Sequence, residues 1–252
     1  MSTLYIGVPM EAVASKPTSL QAVDIQSTQD SVAKAIQSAI FRGELKLGQR
    51  LLEEDLAATL KISRATVREA LRRLEQVGLV QIKPRRGAFV TRLTLVEIER
   101  TSRLRAVLEG LAARYASERI TESEWQEMAR QVEGMKAAAE GGDLDSFLRL
   151  DRAFHEHVWT LAHDNQLEYI LRFLSTPYFA FIASVSTYVV SDVRKVCRAH
   201  EEYAEVLRTR DPELVQKRVQ AIHEALAVGI LEDIRRMSAE MPGETLEIKE
   251  SD

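Results

Sequence analysis

Apolar residues recur at helical spacing through most of the chain. Val32, Ala35, Ile36, Ala39 and Ile40 form the first stripe, with Ser27 the expected cap, Asp30 three residues on, and Gly43 the stop. "GELKLGQRL" reads as a turn, and a short helix follows at 53–60. A third helix runs from a Ser63 cap to a Gly78 stop. The pattern then changes: "LVQIK" and "AFVTRL" have the composition of strands and flank "PRRG", which predicts a hairpin. From Thr94 the helical period returns and lasts to about Met237, punctuated at "GGD" (141–143), "HDN" (163–165), Pro177 and "RDP" (210–212). The expected division is a disordered tail (1–26), three helices plus a β-hairpin (27–93), an all-helical antiparallel bundle (94–238) and an acidic tail (239–252). The fold class is mainly α.

Composition narrows the setting. No apolar run approaches the roughly 20 residues needed to span a bilayer. The first residues lack a basic start, and Glu11 and Pro17 interrupt their apolar positions, so a signal peptide is not expected. One cysteine, Cys197, rules out an internal disulfide. The expected compartment is the cytoplasm. Charge divides the chain: Thr28 to Leu93 carries thirteen Lys/Arg against seven Asp/Glu, a balance of +6, leaving −10 for the rest of a chain of net charge −4. Only the first part is suited to meet a polyanion.

On the third helix Val67, Ala70, Leu71 and Leu74 share one face, which docks on the preceding helices. Ala65, Arg68, Glu69 and Arg72 lie opposite, with Arg64 at the border near the start and Thr66 in the first turn. Such a helix fits the DNA major groove, where arginine bonds guanine O6 and N7 together. The hairpin tip brings Arg85 and Arg86 toward the flanking backbone or minor groove, with Gly87 permitting close approach.

This stretch resembles the winged helix-turn-helix domain of GntR-family transcription regulators. The likeness rests on the Gly43…Gly48 turn, "DLA", "SRATVREAL", "L-x-x-x-GL" and the basic glycine turn. It implies that Arg64 and Arg68 contact DNA and that Gly87 sits in the wing. Where some members carry a DNA-contacting arginine this chain has Glu54, so that contact is not carried over.

In the second part polar residues stand within apolar stripes. Around "SFLRLDRAFHEHVWTLA" the stripe is Phe147, Leu148, Phe154, Val158, Trp159 and Ala162, with Asp151 and His155 in its middle. Buried carboxylate and imidazole are costly unless paired or metal-bound. Spacing i, i+4 sets both about 6 Å apart at Cβ, which suits two ligands of one ion or a satisfied hydrogen-bond pair. His200 is centred among Val193, Val196, Cys197, Tyr203, Ala204 and Leu207, and His223 edges the stripe of Val215, Val219, Leu226 and Ile230.

From about Leu95 to Met237 the pattern resembles the FCD domain of the FadR subfamily, through "RAVLEGLAARYA", "DRAFHEHVW", "DNQL" and "HEEYAEVLRTRDPEL". The resemblance implies an all-helical bundle holding one divalent metal ion (Zn, Ni, Mn or Co) on Asp151, His155, His200 and a late histidine. His223 takes that last role, although the family histidine falls one residue earlier, where this chain has Ile222. It also implies that Arg105 anchors the carboxylate of a small organic-acid effector; the bare spacing of Arg105 and Glu109 equally fits an internal salt bridge. The expected function is a homodimeric repressor on a pseudo-palindromic double-stranded DNA operator, without membrane contact. The alternatives are the same dimer with a purely structural metal and a metal-dependent hydrolase. No HExxH motif, nucleophile motif or general base near the ligands supports the hydrolase.

Overall fold

In the first 90 residues the apolar stripes become a small core. A computed structural model describes residues 26–189 and 193–240 of the chain. Helix α1 (Gln26–Phe41), strand β1 (Arg50–Leu51), α2 (Glu53–Leu60), α3 (Arg64–Gln76), β2 (Val80–Lys83) and β3 (Gly87–Val90) come first. Ser27 lies inside α1 rather than capping it. Its buried face is Val32, Ala33, Ile36 and Ile40; Ala35 is exposed, because the drift of a 3.6-residue turn carries position 33 inward in its place. Ser63 caps α3 by accepting from the Thr66 amide, and Gly78 ends it with φ of 72°.

The hairpin has a third strand: β1 pairs antiparallel with β3 (Arg50↔Phe89, Leu51↔Ala88), and β3 with β2 (Val80↔Val90, Lys83↔Gly87), in the order β1-β3-β2. Two residues are too few for a period to register, so the sequence shows a turn where β1 lies.

The second part is α4 (Leu95–Ser117), α5 (Glu122–Glu140), α6 (Leu144–Leu161), α7 (Asn165–Val189), α8 (Val193–Arg208) and α9 (Pro212–Glu240). Thr94 and Thr121 start α4 and α5 with reciprocal capping boxes to Glu97 and Glu124, and Asp143 caps α6 through the Ser146 amide. The breaks at 141–143, 163–165 and 210–212 fall where the turn residues predict. The break at Pro177 does not: α7 runs through it.

The chain is mainly α, a winged helix-turn-helix followed by a helical bundle. Each part has a core, and Ala180 of α7 belongs to the first. Gly110 lets α4 and α9 meet closely, since a Cβ there would stand 2.9 Å from the Gln216 carbonyl oxygen. The expected tail at 1–26 lies almost wholly outside the described residues, and of 239–252 only the first two positions are described, in α9. Among the described residues no helix is long and apolar enough to cross a membrane.

Candidate nucleic-acid interface and metal centre

Burial of Val67, Ala70, Leu71 and Leu74 fixes how α3 is turned. Arg64, Arg68 and Arg72 are left exposed, with Thr66 half-buried. None of the three arginines is idle. Arg68 donates from Nε (3.0 Å) and Nη2 (2.7 Å) to the two carboxylate oxygens of Glu53. Arg64 meets Glu54 at 3.2 Å and Arg72 meets Glu69 at 2.7 Å. The hydrogen bond from Arg68 holds the Glu53 carboxyl below its ordinary value. The Thr66 hydroxyl pairs with Ser63 Oγ at 2.8 Å. At the wing Arg85 (φ 60°) and Gly87 (φ 93°) make the turn, and Arg85 and Arg86 are exposed. The Arg50 side chain lies against Gly87, so β1 adds a cation to the wing that sequence reading missed.

In the bundle, three helices bring histidines together around His155. His155 is 4% exposed on α6, His200 2% on α8 and His223 7% on α9. Asp151 Oδ1 lies 3.2 Å from His200 Nε2, which is 3.3 Å from His155 Nε2. His200 Nδ1 faces the Val196 carbonyl oxygen at 2.8 Å. A carbonyl only accepts, so Nδ1 carries a proton, and without an ion a second proton on Nε2 donates to Asp151; an ion bound at Nε2 would take that proton's place. Asp151, His155 and His200 each offer a ligand atom within 4.8 Å of the others.

His223 falls in a second group, with His155 and Glu109, under the same 4.8 Å limit. Glu109 is the residue that sequence reading undervalued. It accepts from Arg105 Nη2 at 3.0 Å, as the salt-bridge reading expects, and from Trp159 Nε1 at 2.9 Å. Its Oε2 also lies 3.4 Å from His155 Nδ1 and 3.9 Å from His223 Nε2. His155 therefore turns one ring nitrogen toward Glu109 and the other toward His200. Two imidazole nitrogens, His155 Nδ1 and His223 Nε2, are buried without a hydrogen-bond partner.

Burial and charge compete here. Burial raises the Glu109 carboxyl, but His155, His223 and Arg105 outweigh it and hold the group ionised. Burial likewise raises Asp151, and the hydrogen bond and charge of His200 more than reverse it. Burial lowers His200, and Asp151 overrides this to raise it. For His223 burial wins, pushing it down to about 3.

The Asp151/His155/His200 cluster lines a cavity of about 300 Å³. Arg105, 5% exposed, lines it too, with its guanidinium 4.5 Å from the Tyr178 ring centre and 4.7 Å from that of Phe179.

Comparison with known proteins bears on both sites. Residues 28–90 match the family model "Bacterial regulatory proteins, gntR family", and residues 101–225 match the FCD domain. The HTH-type transcriptional repressor RspR of Escherichia coli is 27% identical over 192 residues, 76% of this chain and 84% of that protein. An HTH-type transcriptional regulator of Agrobacterium vitis is 34% identical over 125 residues, 48% of this chain and 73% of its own length. Among solved structures, E. coli McbR/YncC superposes with a TM-score of 0.71 at 22% identity, over 82% of this chain and 98% of that one.

Proposed function

The chain belongs to the GntR family of DNA-binding transcriptional regulators and carries an FCD domain, and on that premise we propose that it is a metal-dependent, effector-controlled repressor of the FadR subfamily. Residues 27–93 read DNA and residues 94–238 hold the ion and the effector. Arg64, Thr66, Arg68 and Arg72 face the major groove, and Arg85, Arg86 and Gly87 meet the flanking backbone or minor groove. Two copies bind one pseudo-palindromic operator in the cytoplasm. Apolar residues left exposed on α4 (Leu104, Val107) and α9 (Leu214, Val228) support pairing of two bundles. One relative, RspR, is named a repressor.

The observation that carries the metal reading is the convergence of Asp151, His155 and His200 on one point beneath a cavity. One carboxylate oxygen and two neutral imidazole nitrogens suit a borderline divalent ion. The unpartnered nitrogens, His155 Nδ1 and His223 Nε2, lie on the Glu109 side of His155, so the ion reading rests on the donor set of Asp151, His155 and His200 itself. Asp151, His155 and His200 would hold the ion, and His223, which groups with Glu109 and His155, would have to turn toward it to become a fourth ligand. When bound there, such an ion would offer positions to a carboxylate. Arg105, held by Glu109 and by the Tyr178 and Phe179 rings, would orient that carboxylate.

The burial of these groups favours a second reading, a purely structural ion, and Asp151→Ala/His155→Ala separates the two. A sensor predicts a folded dimer that binds operator DNA but no longer responds to its effector. Loss of folding by circular dichroism would establish the structural reading instead.

A further inference from the structure

Three kinds of side chain serve the cavity over the cluster. Arg105 and Asp151 line it, and Glu109, which does not, pairs with Arg105; the three sum to −1 when the imidazoles are neutral, as ligands must be. A divalent ion brings that sum to +1, which one anionic group balances. The cavity's apolar lining includes Phe147, Leu148, Phe179, Ile182, Leu226 and Ile230. The lining hydroxyls, Ser102 and Tyr178, are both buried, and Ser102 Oγ already donates to the Ile98 carbonyl at 2.8 Å. Toward the ends of α8 and α9 stand Lys195, Glu232 and Asp233, one cation against two anions, with Asp233 also paired to Arg236.

We infer that the effector is a monocarboxylate with an apolar body, an aromatic or short aliphatic acid. This rests on the effector reading above and narrows it. A second carboxylate on the ligand would meet no surplus of positive charge at Lys195, Glu232 and Asp233. A sugar acid would press its hydroxyls against carbon, and each one buried without a partner costs roughly tenfold in affinity. An apolar body loses nothing there and gains from leaving water. At about 30 Å³ for each water-sized unit, the cavity has room for about ten non-hydrogen atoms, the size of benzoate or hexanoate.

The test is thermal unfolding of the full chain loaded with Zn(II), in the presence of benzoate, hexanoate, succinate or gluconate at equal concentration. Benzoate or hexanoate raises the midpoint by about 3 °C or more, and succinate and gluconate by less than about 1 °C. Chelation of the ion abolishes the shift. A shift from succinate or gluconate as large as that from benzoate overturns the inference and leaves the effector reading standing. A benzoate shift that survives chelation overturns the charge argument. If no acid shifts the midpoint while the loaded protein still binds DNA, the effector reading itself falls, and this inference with it.

Discussion

Arg68 presents to Glu53 the same guanidinium edge that it would present to a guanine. An exposed pair of this kind is worth about 0.2–1 kcal/mol, against about 1–3 kcal/mol for a base contact, so DNA wins the exchange. Arg68→Ala and Arg64→Ala should each weaken operator binding by about 1–3 kcal/mol, and Glu53→Gln should tighten it by up to about fivefold. Fluorescence anisotropy titrations decide this, and unchanged affinity in both arginine variants would show that α3 reads with another face. In the bundle, His223 gives a pH signature. Its folded value of about 3 lies below the ordinary 6.5, so between those values the unfolded chain takes up a proton that the native state refuses. Stability of the metal-free protein therefore drops as pH falls, by about 2 kcal/mol between pH 6.5 and 5. His200, raised rather than lowered by Asp151, acts in the opposite sense and takes something off that slope. Denaturant titrations in chelator should show the slope, and His223→Asn should flatten it. The sequence exposed the polar intruders in apolar stripes, and so Asp151, His155 and His200. It did not expose Glu109 as a hub, because Trp159, His155 and His223 reach it from distant turns of other helices.

Helices were legible where their ends are made by local chemistry. Ser63, Thr94 and Asp143 each accept from a backbone amide three residues on, and that contact is encoded within one turn. Pro177 was not legible, because its outcome depends on tertiary packing. A proline inside a helix leaves the carbonyl four residues back without its amide partner, here that of Phe173. The same carbonyl oxygen is what Gly78 packs against: a Cβ on Gly78 would stand 2.8 Å from it, and φ there is +72°. The helix that the sequence marks for breaking is thus held where the turn after α3 meets it, and Ala180, three residues beyond the proline, enters the first core. Gly78→Ala meets both a backbone clash and a left-handed conformation, and should cost about 1–3 kcal/mol. Chemical denaturation measures this, and a loss under about 0.5 kcal/mol would mean that the seam between α3 and α7 yields freely.

Across the whole molecule the basic face belongs to one part and the acidic surplus to the other, so binding to DNA should weaken steeply with salt. The partition raises the question of how the bundle reaches the reading helix. Leu148, Asp151, Phe179 and Ile182 line the cavity over the histidine cluster and also a groove of about 390 Å³ that opens onto Lys34 and Phe41 of α1 and onto Arg42 just after it. One wall is therefore shared by the cavity over Asp151, His155 and His200 and the junction of the two parts. Next to Asp151 in sequence, Arg152 lays its guanidinium 4.2 Å from the centre of the Phe41 ring, at the end of α1. Helix α1 in turn packs on α3 and pairs Asp30 with Arg73. A ligand regulates only through a difference in its affinity for two arrangements, and such couplings amount to about 1–3 kcal/mol. A cation over an aromatic face is worth about 0.5–2 kcal/mol, enough to carry much of that. Phe41→Leu keeps the apolar volume and removes the ring. It should leave operator affinity and the effector's thermal shift near those of the unaltered chain, while the effector changes DNA affinity by less than about threefold rather than about 5–150-fold. Full coupling in the leucine variant would move the connection away from α1 and onto the seam that Gly78 and Phe173 form.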